Sequence, residues 1–198
     1  VYCFAPGATG KLWIGTENGI NYYSYQSKQL KEFPVVADNK KVKYVHSINE
    51  LNDTTLWVST VGEGIVKVIL NNTGSSPVVK SATRIVLDKG RMASNYFFTS
   101  FQESDSILWF GNRGYGAYRL NVETGEMTPY KFDDVVKSQT ANDIFAIYKN
   151  EKGYWLGTSS GLLHLNQDYS HRHDRADLFS NNTVHGILED QQNNLWIS

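Results

Sequence analysis

Leu12-Trp13-Ile14-Gly15 is the first of five versions of one short phrase, and this phrase decides the fold. The other four are Leu56-Trp57-Val58-Ser59, Leu108-Trp109-Phe110-Gly111, Tyr154-Trp155-Leu156-Gly157 and Leu195-Trp196-Ile197-Ser198. Together they contain all five tryptophans of the 198-residue chain, at spacings of 44, 52, 46 and 41 residues. A period in this range indicates a repeat protein in which each repeat is one supersecondary unit.

Each phrase lies in the same succession of short apolar stretches and polar turns. An apolar residue stands 12 positions before the tryptophan, as at Val45 and Phe97, and a glycine follows 7 positions after it, as at Gly64 and Gly116. Branched and aromatic residues dominate the stretches between, which favours strands. Four short strands in a unit of about 40–50 residues are typical of a propeller blade. We therefore expect an all-β fold, a β-propeller of four-stranded antiparallel blades.

The register of the repeats predicts how the chain is divided. Blade repeats are expected at 1–44, 45–96, 97–143 and 144–183, with the first two strands of a further blade at 184–198. That is about four and a half blades, which we interpret as part of a seven-bladed propeller. A closed four-bladed propeller remains open as an alternative. An open meander or a sandwich fits less well, because neither imposes a period near 46.

Composition and charge exclude several classes of protein. Nineteen Lys and Arg residues against twenty Asp and Glu give a net charge of −1, which argues against nucleic-acid contact through phosphate neutralisation. The single cysteine, Cys3, excludes an internal disulfide and a multi-cysteine zinc site. No apolar stretch approaches the ~20 residues of a membrane-spanning helix.

Two stretches carry a resemblance to a known family. Val184-His185-Gly186-Ile187-Leu188-Glu189-Asp190 before Leu195-Trp196-Ile197-Ser198, and Leu12-Trp13-Ile14-Gly15-Thr16-Glu17-Asn18-Gly19-Ile20, resemble the two-component regulator propeller repeat. The second repeat departs from the pattern at Ser59, where glycine is usual, and the third at Asn112. The resemblance covers all the repeats, although propellers of several functions share similar tryptophan strands.

The resemblance implies a sensor. Such repeats form the periplasmic part of inner-membrane hybrid histidine kinases, best represented in gut Bacteroidetes, which regulate transcription in response to oligosaccharides. It further implies a homodimeric parent chain with neighbouring propeller and sandwich domains, a membrane helix and a kinase. For this segment it implies no cofactor and no catalysis. A propeller lyase or hydrolase of the streptogramin-lyase type and a protein-interaction scaffold remain alternatives.

The loops at one edge of the blades provide the candidate ligand residues. In an up-and-down blade, the loop into the first strand and the loop between the second and third strands open on the same side. Amides, charged groups and aromatic rings there suit sugars, which need donors, acceptors and an apolar face. The candidates are Lys43, Asn95, Asn142 and Asn182 in the entry loops, and Glu17, Asn18, Glu63, Arg113 and Tyr115 in the second loops. For the asparagines, a turn-forming role competes with this interpretation.

The remaining side chains that could bind a metal or act in catalysis are interpreted as structural. Tyr2, His46, Phe98, Phe145 and His185 occupy the second position of the first strand. The three Tyr and Phe rings of this column favour packing over metal binding. The cluster from His171 to Arg175 is interpreted as a solvated surface turn, with contact to an anionic sugar or partner domain as the alternative. Glu63 and Asp143 are the carboxylates near the ligand face that we consider as a catalytic pair, and nothing couples them.

Overall fold

The computed structural model describes residues 1–8, 10–71, 76–87, 95–132, 142–172 and 183–198. Within these ranges the regular elements are strands, and no helix there is long and apolar enough to cross a membrane. The chain forms two compact units, unit 1 at Val1–Phe97 and unit 2 at Phe98–Ser198.

Unit 1 contains two four-stranded antiparallel sheets, in which strands adjacent in sequence are also adjacent in space. The first sheet comprises β1 (Cys3–Gly7), β2 (Lys11–Thr16), β3 (Gly19–Ser24) and β4 (Gln29–Phe33). A small hairpin follows, comprising β5 (Val36–Ala37) and β6 (Lys40–Lys41). The second sheet comprises β7 (Val45–Leu51), β8 (Thr55–Thr60), β9 (Ile65–Asn71) and β10 (Val78–Ile85).

Unit 2 continues the same plan. Its first sheet comprises β11 (Phe97–Gln102), β12 (Ile107–Asn112), β13 (Ala117–Asn121) and β14 (Met127–Tyr130). Its second comprises β15 (Ile144–Asn150), β16 (Gly153–Thr158), β17 (Gly161–Leu165) and β18 (His171–Arg172), and a two-stranded sheet of β19 (Ile187–Glu189) and β20 (Leu195–Ile197) follows. The expected all-β fold of four-stranded antiparallel blades is confirmed.

The tryptophan phrases form the second strand of each sheet. Trp13 pairs with Tyr22 of β3, Trp57 with Lys67 of β9, and Trp155 with His164 of β17. The cross-strand partners cover the indole rings: His164 stacks on Trp155 at 4.2 Å between ring centroids, and the Lys67 ammonium lies 5.3 Å from the Trp57 ring. Cross-strand pairs of this kind are the unit of sheet stabilisation.

The glycine that ends the phrase lies where consecutive sheets meet. A Cβ atom built on Gly157 would lie 2.6 Å from the carbonyl oxygen of Val184, the residue that leads toward β19. One built on Gly111 would lie 2.7 Å from the carbonyl oxygen of Ile144 in β15. Gly15 approaches Val45 of β7 in the same way, at 2.6 Å. These three phrases therefore end in glycine because backbone of the next sheet occupies the space of a side chain.

In the fourth repeat the apolar residue, Ile144, stands 11 residues before the tryptophan instead of 12, and the missing residue lies in a turn. Asn150 pairs with Gly153, so two residues connect β15 to β16, whereas Leu51 pairs with Thr55 across three residues in the second sheet. Apolar residues on either side of these turns are buried in the cores of the two units. The interpretation of the His171 cluster as a surface turn is wrong for its first two residues, which form β18. His173 to Arg175 lie outside the described residues.

Candidate functional site

The two kinds of predicted loop lie together in each unit, because backbone hydrogen bonds join them. In unit 1 the amides of Gly62 and Gly64 donate to the carbonyl of Asn95, at 3.1 and 3.0 Å. In unit 2 the amide of Gly116 donates to the carbonyl of Asn142 at 2.9 Å. The entry loop and the loop between the second and third strands therefore form one continuous edge of the sheets.

Asn95 and Asn142 hold the backbone at this edge. The Asn95 Oδ1 accepts a hydrogen bond from the Leu87 amide, and the Asn142 Oδ1 accepts one from the Phe132 amide, both at 2.9 Å. Asn142 is buried, with 2% of its surface exposed. Their side-chain oxygens thus bind the backbone just after the fourth strand of each sheet, β10 and β14. An asparagine in a turn is suited to this role. Asn182, the last residue of the predicted column, lies outside the described residues.

The predicted residues of unit 1 do not form one cluster of free side chains. Glu63 binds Arg84, whose Nη1 lies 2.7 Å from Oε2, and the Arg84 side chain is 9% exposed. The backbone amide of Lys43 donates to the same carboxylate at 3.4 Å. Lys43, Glu17 and Asn18 are exposed. Glu63 is thus engaged in a largely buried ion pair that stabilises the loop.

The predicted residues of unit 2 lie in loops that contain further polar side chains. Arg113 is exposed and Tyr115 half-buried in the β12–β13 loop, and the Lys131 ammonium lies 5.8 Å from the Tyr115 ring centroid. Next to Asn142, Asp143 accepts a hydrogen bond from the Ser159 hydroxyl at 2.9 Å, which brings in the β16–β17 loop. We call Arg113, Tyr115, Lys131, Asp143 and Ser159 the unit 2 loop set. It combines two cations, a carboxylate, a hydroxyl and an aromatic face.

The rings at the second position of the first strands contact one another within each unit. In unit 1, Tyr2 and His46 stack at 4.1 Å with an interplanar angle of 17°. In unit 2, Phe145 contacts Phe98 at 4.9 Å and His185 at 4.7 Å. The described residues contain no group of three or more His, Cys, Asp or Glu side chains that could hold a metal ion.

The sequence analysis missed a set of acceptors for the tryptophan indoles. Trp109 donates to Glu103 at 2.7 Å, Trp155 to Asn150 at 3.2 Å and Trp196 to Asp190 at 2.8 Å. These acceptors stand five or six residues before their tryptophan, in the turn between the first and second strands. A carboxylate or amide at this position was the signal that could have revealed them.

The first repeat obtains its acceptor from the next sheet. Gly7 occupies the acceptor position, and the Trp13 indole donates instead to Glu50 of β7, at 2.6 Å. A Cβ atom on Gly7 would lie 2.7 Å from this carboxylate, so the glycine leaves room for Glu50 to enter. Similar contacts join the sheets of unit 2. The Lys149 ammonium lies 3.3 Å from the Glu103 carboxylate, and Asn150 donates a hydrogen bond to Glu189 at 2.9 Å. We call these contacts the inter-sheet clasps.

Glu103 lies at the centre of the most extensive clasp. Besides the Trp109 indole and Lys149, it faces Arg119 at 3.5 Å and accepts a hydrogen bond from the Tyr169 hydroxyl at 3.4 Å. Burial raises the pKa of this carboxyl, but hydrogen bonds from Tyr154 and Trp109 and the charge of Lys149 lower it more, so that the pKa falls below its usual 4.5. The ionised form of Glu103 is therefore the one that the folded protein stabilises.

Glu50 has the opposite electrostatic balance. Burial raises its pKa above the usual 4.5, and the hydrogen bonds from Trp13 and Ala8 offset this only in part. Because the folded state prefers the protonated carboxyl, the contribution of Glu50 to stability is present below pH 4.5 and is lost as the pH rises through its folded pKa. Glutamine keeps an acceptor for the indole and removes the charge.

We therefore expect Glu50→Gln to flatten this part of the pH dependence. The variant should gain stability relative to the wild type as the pH rises from about 4 to about 7. Denaturant unfolding monitored by tryptophan fluorescence measures the difference. Glu17→Gln, an exposed carboxylate in the same unit, is the control and should leave the profile unchanged. Parallel profiles for Glu50→Gln and the wild type would contradict the expectation.

Two surface depressions lie away from the predicted loop residues. One of about 280 Å³ is lined by Asn150, Glu151, Lys152, Glu189 and Asn193, at the turns between first and second strands. The other, of about 400 Å³ in unit 1, lies between Lys31–Pro34 and Ser76–Val79, with Tyr22 at its base. Neither contains a member of the unit 2 loop set.

Comparison with known proteins agrees with the repeat pattern. Residues 178–198 match the family described as two component regulator propeller. Over 156 residues, 76% of the chain, the sequence is 30% identical to histidine kinase P4 of Formosa agariphila. The chain spans only 11% of the length of that relative.

Solved structures establish the fold. The extracellular domain of a candidate hybrid two-component system of B. thetaiotaomicron superposes on 98% of the chain with a TM-score of 0.77, at 21% identity, over 26% of its own length. The β-propeller domain of Swd1 from Myceliophthora thermophila covers 99% of the chain with a TM-score of 0.68 and 10% identity, over 61% of its length. The chain is therefore a β-propeller segment, of which residues 178–198 match the two component regulator propeller family.

Proposed function

We propose that this chain is the ligand-sensing, extracytoplasmic propeller segment of a hybrid two-component sensor histidine kinase, and that it responds to oligosaccharides. In this proposal the segment binds and does not catalyse. The parent chain is a homodimer in the inner membrane, with further propeller and sandwich domains beside this segment. Its kinase transfers the signal to transcription.

The unit 2 loop set is the observation that carries the choice of ligand. Hydrogen bonds join its three loops through Gly116, Asn142, Asp143 and Ser159, so their side chains are held on a rigid sheet edge. Oligosaccharides present hydroxyls that both donate and accept hydrogen bonds, beside apolar ring faces. Arg113 and Lys131 supply donors, Asp143 an acceptor and Tyr115 a ring face. The similarity to a histidine kinase supports the sensor role.

Signalling would follow from a difference in affinity. A rigid propeller that binds an oligosaccharide more tightly in one arrangement of the receptor dimer shifts the population toward that arrangement. The shift can be no larger than the difference in binding free energy between the two arrangements. The loop set therefore needs to contact the ligand differently in the two states, and no change within the sheets is required.

Binding of glycans by the intact protein that contains this segment tests the proposal. A glycan array identifies the tightest ligand, and calorimetry then compares the wild type with Arg113→Ala and Tyr115→Ala. We expect each substitution to weaken binding roughly tenfold, because each removes one polar or stacking contact. Lys28→Ala, in the turn between β3 and β4, is the control and should bind as the wild type does. Failure of the wild type to bind any glycan would overturn the proposal.

A further inference from the structure

The ring column of unit 2 has an exposure pattern that core packing alone does not require. Phe98 and Phe145 are half-buried and His185 is exposed, while the neighbouring residues Phe97 and Ile144 are fully buried at 0%. The residue before each of these two Phe rings is thus fully buried, whereas the ring itself is partly exposed. Three neighbouring rings remain partly open to solvent on consecutive first strands.

Irregular backbone directs two of these rings. In β15 the register shifts between Ile144 and Ala146, so that Phe145 is the extra residue of a β-bulge. Before β19, the amides of His185 and Gly186 both donate to the Ser198 carbonyl, at 2.7 and 3.2 Å, which is the pattern of another bulge. Bulges re-aim a side chain and are over-represented next to functional sites.

The same irregularity occurs in unit 1, which indicates that the repeat retains it. The register of β7 shifts between Val45 and Ser47, so His46 is also a bulge residue. Its ring stacks on Tyr2. A regular strand alternates strictly between its two faces, and a bulge releases the extra residue from that alternation, so it can re-aim the ring at this position.

We infer that Phe98, Phe145 and His185 form a stacking platform for a pyranose ring of an oligosaccharide, beside the unit 2 loop set. The inference rests on the proposed function and assigns the apolar part of that site. Phe98 and Phe145 follow the entry loops that contain Asn95 and Asn142, so the rings begin at the same edge of the sheets as Arg113 and Tyr115. A sugar needs both kinds of surface, hydrogen-bonding groups at its rim and an aromatic face beneath it.

Substitution of the central ring tests the platform in the intact protein. The probe is the tightest glycan found on the array, measured by calorimetry. Phe145→Leu, which keeps an apolar side chain and removes the ring, should weaken binding roughly tenfold. Phe145→Tyr keeps the ring and should bind within about twofold of the wild type. Tyr25→Leu removes a ring that is 57% exposed outside the column, and it should not change binding.

The outcomes separate this inference from the proposed function. If the wild type binds a glycan and Arg113→Ala weakens it while Phe145→Leu does not, the loops bind without the platform and the inference is overturned. If the wild type binds no glycan, the proposed function falls and the platform with it. Thermal melts of each variant establish that it is folded, and Phe98→Leu serves as a second variant should Phe145→Leu not fold.

Discussion

Replacing Gly157 with alanine is expected to lower the free energy of unfolding by about 2–3 kcal/mol, as overpacking does in a close-packed interior. The added methyl group would lie 2.6 Å from the Val184 carbonyl oxygen and 2.8 Å from its Cγ1. Both atoms belong to a neighbouring stretch of chain that is buried, so relief requires the two sheets to separate. Urea unfolding monitored by tryptophan fluorescence measures the loss.

Gly186→Ala is the matched control for this prediction. An added methyl group there meets only the Ser198 hydroxyl, at 2.8 Å, which is the end of a side chain that can rotate. We expect a change within about 0.5 kcal/mol, the usual range for substitutions that disturb no buried contact. Equal stabilities for the two variants would mean that the close approach of Val184 does not restrict residue 157.

Replacing Glu103 with alanine is expected to cost about 3 kcal/mol, because it leaves two partly buried cations without their counter-charge and a buried indole without its acceptor. The Trp109 indole would lose its acceptor, and Arg119 and Lys149 would lose the carboxylate that they share. The Glu103 side chain is only 12% exposed, so water replaces these contacts poorly. Thermal and denaturant unfolding give the magnitude.

One further variant separates charge from hydrogen bonding at Glu103. Glu103→Gln keeps an acceptor for the indole and should lose about half as much stability. Because the pKa of Glu103 is lowered, its contribution is present above pH 4.5 and lost as the pH falls through the folded pKa, and the glutamine variant should lack this acid sensitivity. Glu126→Ala, an exposed glutamate in unit 2, should change stability little. An alanine variant at 103 as stable as that control would contradict the assigned role.

The fold was predictable because its determinants are local and repeated. Trp109 and its neighbours form a continuous apolar run within one strand, every residue of which is buried, and the glycine that follows indicates a close approach that recurs in other repeats. The apolar residue at the start of each first strand was also predictable from the repeat. Its burial agrees with that pattern, because Val45, Phe97, Ile144 and Val184 are all 0–1% exposed. The same periodicity that predicts the strands therefore predicts their order in the sheets.

The contacts between sheets were not predictable in the same way. The acceptor of Trp13 lies 37 residues later in sequence, and nothing local to Gly7 indicates it. The ion pair of Glu63 with Arg84 likewise joins a loop to an outer strand. It engages a carboxylate that the loop pattern predicts to be available to a ligand. For Asn95 and Asn142 the position was predictable, but only the structure identifies the backbone amides that their oxygens accept.

The hydrogen-bond acceptor of Trp13 belongs to the next repeat, and this constrains how such a protein can change its number of repeats. The indoles of Trp109, Trp155 and Trp196 have their acceptors within their own repeats, so these hydrogen bonds would be kept if one of those repeats were duplicated or moved. The first repeat is not self-sufficient: it pairs Gly7 with a glutamate supplied by its successor. A recombination event that set it before a repeat lacking that glutamate would leave a buried indole unsatisfied, so the two are expected to be inherited together.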